Sequence, residues 1–117
     1  MKRQLDRTKE TDLLAPTCWQ REAPCLCLRV ELTGHETHIF PYQQLVTAKL
    51  VHRDGAETLN LAFATHEVEF TGRNLPDLLH AFQDFAVKWV RPLPERYHAI
   101  AAGEAGLVTS IRVKPMG

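Results

Sequence analysis

A chain of 117 residues with 44% hydrophobic content suffices for one domain with its own core, and folding can bury roughly 65% of the surface that its unfolded form exposes. Lys and Arg number 14 against 14 Asp and Glu, so the formal charge is zero and long-range attraction to nucleic acid or to anionic lipid is not expected. No stretch approaches the ~18 consecutive apolar residues of a membrane span, and three cysteines without an apolar leader at the N-terminus predict a reducing, cytoplasmic setting.

Residues 1–17 are strongly charged. Lys2, Arg3, Arg7 and Lys9 are interrupted by Asp6, Glu10 and Asp12, a pattern that predicts a solvated, flexible arm ahead of a single domain over residues 18–117. Around this boundary Leu13, Leu14 and Trp19 sit in a proline-punctuated stretch suited to irregular chain or an edge strand. Residues 25–32 alternate strictly, which predicts a strand with Leu26, Leu28, Val30 and Leu32 inward and Cys25, Cys27, Arg29 and Glu31 outward.

Thr33-Gly34-His35 turns the chain, residues 36–40 return as a short strand, and Pro41 opens a turn or a single turn of helix. Residues 45–53 and 58–64 read as a hairpin about Asp54-Gly55, because glycine takes positive φ without steric cost. A further strand places Val68 and Phe70 on one face and Glu67, Glu69 and Thr71 on the other.

The three- and four-residue steps linking Leu75, Leu78, Leu79, Phe82, Ala86, Trp89 and Val90 predict a long amphipathic helix over 75–90. Asn74 is placed to cap it, Pro76 and Asp77 suit its first turn, and Pro92 and Pro94 stop it. A shorter helix over 94–102, closed by Gly103, precedes a last strand over 107–113, in which Leu107, Thr109, Ile111 and Val113 alternate with Val108, Ser110 and Arg112. Short links between strands favour antiparallel pairing over crossovers. The expected fold is therefore α+β: a curved antiparallel meander of five to six strands, a roll or pleckstrin-homology-like half-barrel, packed on one long amphipathic helix.

Chemistry is sparse. Cys25, Cys27, His35 and His38 are the one cluster with metal-ligand residue types, yet side chains two apart on a strand are separated by about 6.6 Å, a poor start for zinc. A cysteine beside a histidine on a flat sheet face lacks the enclosed, oriented base of a thiol nucleophile. Thr71-Gly72-Arg73-Asn74 precedes a helix N-terminus, where anions bind, but has one glycine and no phosphate-loop lysine. Phe40, Tyr42 and Trp19 are the candidate platforms for stacked bases, and the balanced charge argues against that use. No catalytic residues, cofactor, nucleic-acid partner or membrane is expected. The chain predicts a non-enzymatic protein-interaction or self-association module, a homodimer included, with Trp19, Tyr42 and Ile111 as interaction residues. The alternative is a small ligand- or metal-binding domain at Cys25, Cys27, His35 and His38, or an enzyme without a recognisable motif.

Overall fold

The computed structural model describes residues 17–99 and 106–116. In chain order it contains β1 (Trp19–Arg21), β2 (Cys27–Glu31), β3 (Thr37–Pro41), β4 (Leu45–Arg53), β5 (Ala56–Phe63), β6 (His66–Arg73), α1 (Pro76–Gln83), β7 (Val87–Val90) and β8 (Leu107–Pro115), with 3-10 turns at Tyr42–Gln44 and Glu95–Tyr97. The expected arm over residues 1–17 lies outside the described residues except for Thr17, and so does the close of the expected helix at Gly103.

Alternation builds the larger sheet. Its order is β4-β5-β6-β8, antiparallel throughout. Leu59, Leu61 and Phe63 of β5 and Val68 and Phe70 of β6 are fully buried on the inner face. On the outer face Glu69 meets Arg112 and Glu67 meets Lys114, each at 3.4 Å, solvent-screened pairs of small individual value. The second sheet has the order β1-β7-β2-β3, with Leu28, Val30, Phe40, Val87 and Val90 inward. Within it β2 and β7 run parallel while the other neighbours are antiparallel. Phe40 stacks on Phe63 at 4.6 Å between ring centroids and so joins the two sheets, while Phe82 of α1 packs 5.5 Å from Phe70.

The expected single meander of five to six strands is thus replaced, among the described residues, by eight strands in two open sheets. The long helix is corrected as well, because α1 ends at Gln83. Phe85 adopts a left-handed φ of 54°, its N–H bonds the Phe82 carbonyl at 3.0 Å, and the Ala86 N–H bonds the Ala81 carbonyl at 2.8 Å. Those two bonds form a Schellman ending, and Ala81 and Ala86, which stand at the two positions it brings together, are both buried. Glycine normally holds the left-handed place, so its absence let the helical spacing run on through Ala86, Trp89 and Val90. Val87–Val90 is instead a strand, as its β-branched and aromatic content suits.

The start of α1 also differs. Leu75 holds the cap position without a side-chain cap, and Asn74 has a left-handed φ of 55°. The cap comes from another strand: Glu57 Oε1 accepts the Leu75 N–H at 2.7 Å, and Glu57 Oε2 lies 3.5 Å from His52 Nδ1. A carboxylate placed there complements the positive end of the helix. Leu26, expected inward, is 88% exposed because it precedes the β2 ladder. Val108, expected outward, is buried where the β6–β8 register shifts between Thr71 and Gly72.

Candidate docking groove at an edge strand

The β4 strand is at one edge of the larger sheet. Its pairing with β5 sets Leu45 opposite Phe63 and Thr47 opposite Ala62, so Val46 is an extra residue, and the bulge leaves it 67% exposed. Facing this bulge are Leu79, Phe82 and Phe85 of α1 and its ending. Together Leu45, Val46, Ala48, Leu79, Phe82 and Phe85 line a groove of about 330 Å³, with Thr47 and Gln83 supplying its polar rim. Phe82 is fully buried and forms the wall, whereas Phe85 is 45% exposed.

Phe85 is the unusual member. A side chain at a left-handed φ costs about 1–2 kcal/mol that glycine would avoid. The Phe85 backbone is held there by the Schellman bonds and by Cys25, whose N–H bonds the Phe85 carbonyl at 2.7 Å. Its ring leans on that of Tyr42 at 5.2 Å. The outcome is a large aromatic on a stiff turn, half in solvent beside a strand edge that pairs with no further strand among the described residues.

Tyr42, expected as an interaction residue, lies in the core of the chain: it is only 3% exposed, and its hydroxyl donates to the Val87 carbonyl at 2.6 Å. Burial pushes its ionisation well above the ordinary tyrosine range. An unfolded tyrosine ionises near pH ~10, so below that pH the contribution is fully present, and above it the unfolded state alone sheds the proton and stability falls as pH rises. Tyr42→Phe is expected to cost about 0.5–1.5 kcal/mol at neutral pH through the lost hydrogen bond. The same variant should show a flatter decline of stability above pH ~10, measurable by urea unfolding across an alkaline series.

Trp19 is half-buried and inward-facing, with its indole against Gly106, where an added Cβ would sit 2.0 Å from Nε1. Ile111 is half-buried opposite Phe70 on the core side of β8. Neither lines the groove. Phe40 is also buried, at 5% exposure, which removes it along with Tyr42 as a stacking platform.

The cysteine and histidine candidates are spread out. His38 pairs with Val30, three residues and about 10 Å along β2 from Cys27, which pairs with Pro41. His38 Nε2 is 2.7 Å from Glu36 Oε2 and its ring stacks on Phe40. His35 occupies the β2–β3 turn at a φ of 81°. The Cys25 thiol donates to the Glu22 carbonyl, and desolvation and the Glu22 charge push its pKa up, away from a reactive thiolate. Burial likewise raises the Cys18 thiol, whose sulfur accepts the Val108 N–H at 3.2 Å. Among the described residues no three His, Cys, Asp or Glu side chains are grouped to hold a metal ion. The helix N-terminus considered for an anion beside Arg73 already takes the Glu57 carboxylate.

Compared with family models, curated proteins and solved structures, the chain matches none. No helix among the described residues is long and apolar enough to cross a membrane. The groove escaped sequence reasoning because Val46 looks like an ordinary strand residue and Phe85 like part of a helical stripe. The one available signal was the pair of adjacent valine and leucine residues at the start of β4, which breaks strict alternation.

Proposed function

We propose that this chain is a non-enzymatic protein-interaction module that receives an extended segment along the free edge of β4 and seats an apolar side chain in the groove beside α1. Strand addition of this kind takes affinity from main-chain hydrogen bonds and specificity from side-chain recesses beside the edge. The observation that carries the reading is Phe85, an aromatic half-exposed at a backbone position that favours glycine, next to a strand that is the edge of its sheet among the described residues. Three other residues, His35, Asp54 and Asn74, also take a left-handed φ, but those residue types tolerate it in turns, whereas a bulky aromatic there carries conformational cost of the kind often kept at contact sites. The three free cysteines suit the reducing cytoplasm assumed for such a module.

Phe85→Gly separates binding from folding. Glycine relieves the left-handed backbone and offsets the lost ring contact, so the unfolding free energy should stay within about 1 kcal/mol of the parent. Peptides selected from a random display library on the parent protein should bind the variant at least about 30-fold more weakly, as expected for an aromatic anchor. Equal affinity for both proteins, or amide shifts in the NMR spectrum that avoid β4, would remove the groove from consideration.

A further inference from the structure

We infer, resting on the docking reading above, that the segment received by β4 is acidic: an extended stretch of another protein whose carboxylates lie four residues apart on one face, with apolar side chains alternating on the other. The only formally charged residues of β4 are Lys49 and Arg53, both exposed, and neither forms an ion pair among the described residues. The acids nearest in sequence are Asp54, in the adjoining turn, and Glu57, which is engaged by the Leu75 N–H and His52.

Strand geometry turns this charge into a pattern. Ala48 and Leu50 pair with Leu61 and Leu59 on the inner face, so Lys49, Val51 and Arg53 share the outer face. An added strand repeats that alternation. Its residues beside Lys49 and Arg53 project outward with those cations, while the intervening ones project toward the helix side, and at the Val46 bulge they meet the groove. Opposite charges facing each other across strands attract, and like charges repel.

The charge on the two edges of this sheet favours an acidic partner at β4 over the other occupants. At the other edge of the same sheet, on β8, Arg112 and Lys114 are already matched by Glu69 and Glu67, so that edge has no comparable demand. A second copy of β4 would bring Lys49 and Arg53 against their own kind, which disfavours pairing of two such edges. An acidic segment from a different protein meets neither obstacle.

The test is selection of random twelve-residue peptides on the parent protein and on the Lys49→Glu, Arg53→Glu double variant, followed by affinity measurement of the enriched sequences. The parent is expected to enrich peptides with acidic and apolar residues in alternation, and these should bind the double variant about tenfold more weakly, since two attractive pairs become repulsive. The double variant should enrich basic peptides in their place. The same charge composition from both selections overturns the acidic assignment but leaves the groove standing if Phe85→Gly still abolishes binding. Peptides indifferent to both sets of changes overturn the assignment and the docking reading together.

Discussion

Truncation of Phe82 to alanine should lower the unfolding free energy by about 3–5 kcal/mol, the usual range for removing a buried phenyl group. Phe82 is fully buried and packs on Phe70 at 5.5 Å, so it ties α1 to the inner face of the larger sheet. An eight-residue helix is too short to persist without such packing. The void would also open into the groove, whose wall Phe82 forms, and collapse around it is limited by the rigid strands on the other side. Against a typical total of about 5–15 kcal/mol, this single change takes a large share of stability. Chemical unfolding of the variant gives the number directly. Leu79→Ala is the comparison: Leu79 lines the same groove but is only partly buried, so its loss should be clearly smaller. Equal costs at the two positions would mean that α1 is not held through Phe82.

Gly72→Ala is expected to be comparably severe, at about 3 kcal/mol or more, for a different reason. A Cβ at Gly72 would lie 1.9 Å from the Leu107 carbonyl oxygen and 3.1 Å from the Val108 Cα. Those are backbone atoms of the paired strand β8, and no rotamer change moves them aside. The β6–β8 ladder shifts register at this point, with Thr71 opposite Ser110 but Gly72 opposite Val108, and the close approach exists because glycine leaves room for it. Overpacking a fixed contact of this kind commonly costs about 1–3 kcal/mol, and a clash with main chain lies at or beyond the top of that range. Gly55→Ala is the control. Gly55 has a φ of 80° and open space around its Cα, so alanine there meets only the left-handed penalty of about 1–2 kcal/mol. The two variants together distinguish a steric requirement for glycine from a conformational one.

Much of the local structure was legible from residue order. The strand over 45–53, the turn at Asp54-Gly55, the faces of β5 and β6, and the turn after Pro41 all follow from alternation and turn chemistry, which act between residues close in sequence. The candidate site was less legible. The sequence makes Tyr42 a candidate platform and interaction residue, but its hydroxyl finds the Val87 carbonyl in the core, a partner that no local rule identifies. Phe85 falls within the span 75–90 whose spacing predicts a helix, whereas the Schellman bonds put it outside the helix.

By itself the sequence determined an α+β domain of mainly antiparallel strands, the inward residues of most of those strands, and a helix beginning close to Pro76. Tertiary structure decided where that helix stops, how the strands divide between two sheets, and that β2 and β7 run side by side in parallel with Arg29 opposite Trp89. The physical reason is common to all three. Val87–Val90 has the spacing for a helix and the composition for a strand, and the balance is tipped by hydrogen bonds and packing offered by β1 and β2, which lie far away along the chain. The groove has the same origin: it exists only where a bulged edge and the end of a helix meet.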